Sequence, residues 1–225
     1  MLRRSFLSRF GGAAAFFGVT SPGLHESRQN QLGQPEQPAQ PARSAQPFQA
    51  ARHPQDDWFD QVPGTHRVIF DTWMADRFAE AVGFAGNYVR VNKDVYGLSE
   101  KDVAVVICVR HRTAPFAFTD AMWAKYGKQF SARMSFVDPK TQQAPTTNVY
   151  GAQISNLAKQ GVQLAVCNLT TRAYTRIIAD AIHGDADEIY KELTANTIAV
   201  SHFVPAGVVA VTRAQEHGYA LVAIG

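Results

Sequence analysis

Cysteine is scarce in this chain: 225 residues contain two, Cys108 and Cys167. That excludes a disulfide-built scaffold and leaves open either one Cys108–Cys167 bridge or two separate thiols. Charge is scarce too, at 18% of residues. There is no Gly-rich phosphate loop, no nucleophile elbow and no two-cysteine redox motif. Beyond the first 21 residues, no apolar run approaches the length of a membrane helix. The formal charge is +3. Residues 1–21 hold Arg3, Arg4 and Arg9 and no acid, so they account for all of it. The remainder is neutral, which argues against nucleic acid as a partner.

What is present begins with "LRRSFLSRFGGAAAFFGV". Paired arginines, then Phe6-Leu7, then a mild apolar run follow the pattern of a twin-arginine export signal over residues 1–21. The expectation is a periplasmic protein with no membrane span in its mature chain. Residues 22–57 are rich in Gln, Pro, Ser and Ala. They read as a disordered linker, because such a composition buries too little apolar surface to offset its ordering entropy.

From Trp58 onward, apolar segments alternate between two periods. Strands are predicted at 66–73, 102–111, 162–167, 197–204 and 219–224. Helices are predicted at 75–97, with Gly97 as the stop signal, and at 118–127, 149–161, 169–181, 187–193 and 206–218. The stretch 127–146 has no clear period. "DVAVVICVRH" is almost continuously apolar, as a strand covered on both faces should be. The alternation predicts an α/β domain over 58–225. It is a three-layer fold with a mostly parallel five-stranded sheet and helices on both faces.

In such sheets ligands bind beyond the carboxyl ends of the strands. Those ends are read as Asp71 to Trp73, Arg110-His111-Arg112, Cys167-Asn168 and Ser201-His202. Cys167 stands where a strand gives way to a helix. The unpaired N–H groups of a helix start favour negative charge, and the thiolate is the reactive form of cysteine. Asn168, Thr170 and Thr171 are the candidate helix caps. His111, Arg112 and His202 are candidate neighbours that tune the sulfur, which this reading requires to be reachable by solvent. The competing reading of Cys167 is a small buried hydrophobe. For Cys108, well inside its strand, packing is the expected role. "RTAPFAF" (112–118) reads as a lid over the site or a subunit contact.

The segments "GVQLAVCNLTTRA", "VYGLSEKDVAVVICVRHRTAPFAFTDAMWAKYG" and "FVPAGVVAVTRAQEHGYALVAIG" resemble, in that order, the DsrE/DsrF-like family, over about residues 66–225. The resemblance implies a compact three-layer fold and assembly as a homo-oligomer, a trimer or hexamer. It also implies, for some members, relay of sulfane sulfur as a persulfide on a cysteine after a strand, the position matched here by Cys167. The sulfur donor or acceptor would be a protein or a small thiol, with no cofactor and no metal. One departure is His111-Arg112, where many relatives have His-Gly. Another is the export signal, since relay members of the family are cytoplasmic. Two further functions compete with relay. One is a non-catalytic oligomeric binding module of the periplasm. The other is metal or haem ligation through Cys167 with His111 or His202.

Overall fold

A computed structural model describes residues 49–225. The expected export signal and most of the expected linker lie outside those residues. The packed chain begins a few residues before Trp58. Pro54–Asp56 form a 3₁₀ turn, and Asp56 is buried beside the Arg213 guanidinium at 3.7 Å. A short helix, α1 (Trp58–Gln61), then leads into β1 (His66–Thr72) and α2 (Phe78–Tyr96). Next come β2 (Val103–Val109), α3 (Asp120–Met134) and α4 (Gly151–Lys159). Then follow β3 (Gln163–Cys167), α5 (Asn168–Ile182) and α6 (Ala186–Ala195). The chain finishes with β4 (Ser201–Val204), α7 (Gly207–Glu216) and β5 (Ala220–Ile224).

The five strands form one sheet in the order β4-β3-β2-β1-β5, every neighbouring pair parallel. This is the α/β, three-layer arrangement expected from the alternation. Alternate side chains of each strand supply the two cores. Val68, Phe70, Val105, Ile107, Leu164 and Val166 face α2, α3 and α5. Ile69, Ala104, Val106, Cys108 and Ala165 face α1 and α7. On the second face the small residues Ala104 and Ala165 meet Ala210 and Ala214 of α7, so one helix packs closely there. β2, at the centre, is buried along all seven residues. Its unbroken apolar run is the consequence of being covered on both sides.

Gly97 ends α2 as expected. It adopts φ +67°, and its N–H bonds back to the Asn92 and Lys93 carbonyls, a left-handed cap that glycine enters without a Cβ penalty.

Three local expectations are corrected. The helix predicted to stop at Gly127 continues to Met134. Gly127 does not end a helix; a Cβ there would sit 2.0 Å from the Pro145 carbonyl oxygen. The glycine therefore lets the following loop lie against α3. The fourth strand starts at Ser201 instead of 197, because Thr197 turns away to form an antiparallel bridge with Phe118. "RTAPFAF" is neither a lid nor a subunit contact: residues 114–118 are fully buried. Phe116 stacks on Phe78 with ring centroids 4.5 Å apart and packs against Trp123 at 5.7 Å, so its apolar character serves this chain's own core.

Gly127 yields a test with a decisive sign. In a free helix interior, Gly→Ala gains about 1 kcal/mol. Here Gly127→Ala is expected to destabilise by about 1–3 kcal/mol through overpacking, read from chemical denaturation midpoints.

Candidate functional site

The carboxyl ends of the strands are brought level by the register of the sheet. Thr72 pairs with Val109, Val109 with Val166, and Cys167 with Val204. Arg110, one residue past Val109, therefore stands next to Cys167 along this edge. Asp71 and Cys108 are register partners, and with Cys167 they point to the α7 side of the sheet by alternation.

Cys167 is the last residue of β3 and also the N-cap of α5, with extended backbone at φ −67°, ψ 107°. Its sulfur does the capping. Sγ accepts from the Thr170 N–H at 3.4 Å and from the Thr170 hydroxyl at 3.2 Å. The Thr170 hydroxyl oxygen accepts in turn from the His111 N–H at 3.2 Å. A relay of donors thus runs from the loop after β2, through Thr170, to the thiol. Thr171 donates to the Cys167 carbonyl at 3.0 Å. None of the three expected capping residues is the cap; the cysteine takes that place itself.

The thiol is less open than the sequence reading required, at 4% exposure. Its surroundings are nevertheless polar on the Thr170 side. The Arg110 guanidinium is close enough for a negative sulfur at 167 to favour its charged form. Arg110 is anchored by Asp71 through two bonds, Nε–Oδ1 at 2.7 Å and Nη2–Oδ2 at 2.8 Å. That fork geometry fixes the guanidinium plane. The bond to Asp71 is the main reason Arg110 holds its proton more tightly than usual. The Trp73 ring lies under the guanidinium at 5.0 Å, and Gly207 closes over its stem. A Cβ on Gly207 would come within 2.7 Å of the Arg110 Cβ.

Cys108 plays the packing role expected of it. It is wholly buried and bonds weakly to the Gly207 carbonyl at 3.6 Å, and burial pushes its thiol well above the ordinary range. Both cysteines are free, so the bridge between them is not formed.

The other sequence-derived site residues divide. His111 is on the edge beside Thr170, exposed, and held at φ +52°, a left-handed conformation uncommon for a residue with a side chain. Arg112 donates its N–H to the Trp73 carbonyl at 3.2 Å. Its Nε is buried without a hydrogen-bond partner. Asn168 is turned away, its Oδ1 accepting from the Tyr190 hydroxyl at 2.8 Å. His202 does not join the group. β4 runs on to Val204, so His202 pairs with Ala165, two residues short of the edge. Its ring stacks on Trp58 at 4.1 Å and its Nε2 meets Gln163 Oε1 at 3.1 Å. Among the described residues no three His, Cys, Asp or Glu side chains converge as a metal site would need.

The residues whose role the sequence reading undervalued are Arg110, Asp71 and Thr170. Arg110 and Asp71 were legible as strand-end residues, but only the β1–β2 register shows them to be a pair.

No protein-family model and no curated protein matches the chain. Among solved structures it is similar to the protein of unknown function MTH1491 from Methanobacterium thermoautotrophicum. The identity is 16%, over 70% of this chain and 98% of that one, with a TM-score of 0.40.

His202 generates a pH test. Burial lowers its pKa below the usual 6.5, so near neutral pH it is folded in its uncharged form. Below pH 6.5 the unfolded chain takes up the proton first. Unfolding is then favoured. The contribution is therefore complete above that pH and is lost as the pH falls, until the folded imidazole also protonates. Stability between pH 7.5 and 5.5 is expected to fall less steeply in His202→Gln than in the unaltered chain, measured by denaturant titration. Equal slopes would assign the dependence elsewhere.

Proposed function

We propose that this protein carries sulfane sulfur as a persulfide on Cys167. The observation that supports the reading is the double hydrogen bonding of Sγ by Thr170 at the start of α5, with the Asp71-anchored Arg110 alongside. Donors aimed at a sulfur, a helix start and a fixed cation all favour negative charge on the atom that must attack and later leave. In the loading step the Cys167 thiolate attacks the terminal sulfur of a donor persulfide. A new S–S bond forms at Cys167, the donor's S–S bond breaks, and the donor leaves as a thiolate with the electron pair. Unloading repeats the exchange toward an acceptor thiolate, so no external oxidant or reductant is consumed. With 4% of its surface exposed, Cys167 admits a small sulfur species more readily than a bulky one. The resemblance to DsrE/DsrF-like proteins supports the same position for the relay cysteine. The export signal read in residues 1–21 would place the reaction in the periplasm.

After incubation with polysulfide and gel filtration, intact mass is expected to rise by one sulfur atom. The addition should map to Cys167 and be removed by cyanide. Cys108→Ser is expected to load like the unaltered chain and Cys167→Ser not at all. Loading that ignores Cys167→Ser would end the proposal.

The assembly we propose is a homo-oligomer formed through β5 and α2. β5 pairs with β1 alone among the described strands, leaving its outer backbone groups open, and its residues 220–223 are exposed. Beside it α2 exposes Phe84, Val91, Val95 and Tyr96. An apolar sheet edge of this kind is usually protected or paired. A second copy offers the same edge and the same apolar strip. Light scattering is expected to show a particle at least twice the mass of one chain, reduced by Val222→Lys. A single-chain mass at micromolar concentration would overturn the assembly and leave the Cys167 reading untouched. Among the described residues no helix is long and apolar enough to cross a membrane.

A further inference from the structure

Behind Thr170, on the α3/α5 side of the edge, lies a cavity of about 190 Å³. His111, Arg133, Leu169, Thr170, Ala173 and Tyr174 line it. Its chemistry is one-sided. Tyr174 is 2% exposed, and its buried hydroxyl has no hydrogen-bond partner. The buried Nε–H of neighbouring Arg112 has none either. The charged groups that act on the Tyr174 phenol are Arg133 and Arg112, both positive. Neither arginine forms an ion pair among the described residues.

Buried donors are normally satisfied; Arg133, exposed at the mouth of the cavity, brings an unpaired positive charge beside the Tyr174 hydroxyl. What the buried hydroxyl lacks is an acceptor, and the positive charge beside it favours one that is negative. A cavity of this volume holds a few heavy atoms and their water, far short of a nucleotide or a peptide. A small oxyanion supplies several acceptor oxygens in that space. One could accept from the Tyr174 hydroxyl while others face the Arg133 guanidinium.

We infer that this cavity is a binding site for a small inorganic oxyanion, held by the Tyr174 hydroxyl and the Arg133 guanidinium. The site does not need the persulfide reading. It adds to that reading a place for an anionic co-substrate, because Thr170 forms its wall and also bonds the Cys167 sulfur. Sulfur oxyanions and phosphate share the chemistry that the site recognises, and the test separates them.

Calorimetric titration with thiosulfate, sulfite, sulfate and phosphate, each alone, is expected to give saturable binding of at least one, weakening with added salt. The tightest binder identifies the source. Arg133→Gln is expected to weaken binding about tenfold, and Tyr174→Phe about fivefold. Tyr174→Phe should leave the melting temperature unchanged or raised, because it removes an unpaired buried hydroxyl. That variant keeps the test valid if an arginine variant folds poorly. Cys167→Ser is expected to bind as the unaltered chain does, so a failed persulfide assay and a failed anion assay are distinguishable. No saturable binding of any of the four at millimolar concentration would overturn the inference. Binding indifferent to both substitutions would overturn it as well.

Discussion

Arg110 and Asp71 come from adjacent strands, and their two-pronged ion pair organises the carboxyl edge of the sheet. Asp71 is the last residue but one of β1 and Arg110 follows β2, so the pair ties the loop after β2 to its neighbour by two bonds of 2.7 and 2.8 Å. Both side chains are largely removed from water, at 10% and 25% exposure. Desolvating two charges is costly, and mutual attraction offsets the cost only when the geometry is good and other groups complete it. Trp73 beneath the guanidinium and Gly207 over its stem supply that setting. With Arg110 held, the turn it opens is held too. Thr113 bonds back to the Arg110 carbonyl and to Thr72, and His111 presents its N–H to Thr170.

Cys167 depends on that arrangement for its surroundings. Its own contribution is to cap α5 with sulfur instead of with the oxygen of a serine or aspartate. A sulfur cap accepts longer, weaker hydrogen bonds than an oxygen cap and gives up some helix stabilisation. In exchange a nucleophilic atom stands at a helix start. The contrast with Cys108 is instructive: two residues of one type lie on one face of one sheet. Cys108 is enclosed by apolar neighbours and made inert by burial. Cys167 lies at the edge among donors. Place along the strand, and not residue type, separates a packing atom from a candidate reactive one.

Most of the architecture was legible because periodicity and punctuation carried it. β2 is a run of seven apolar residues and is buried throughout; Gly97 marks the end of α2 and caps it. Reading failed where a residue's local meaning was overruled by a distant neighbour. Gly127 signals a helix end, yet serves close approach to Pro145, eighteen positions on. "RTAPFAF" looks like an exposed apolar loop, yet fills the space between α2 and α3. His202 was read as a strand end although the strand, drawn too long at its start, runs on two residues past it to Val204. A two-residue error along a strand moves a side chain by more than 6 Å, enough to take it out of a site.

By itself the sequence determined the class of fold, the strand order along the chain and the corner on which Cys167 stands. Each of these is written in spacing between near neighbours, which local backbone geometry converts directly into structure. Only the tertiary structure decided that Asp71 grips Arg110, that Thr170 bonds the sulfur, and that Tyr174 and Arg112 are left with unpaired donors. Those facts rest on lateral register and on burial. Both are set by how distant segments share one core, and neither leaves a trace in the order of residues along a single segment.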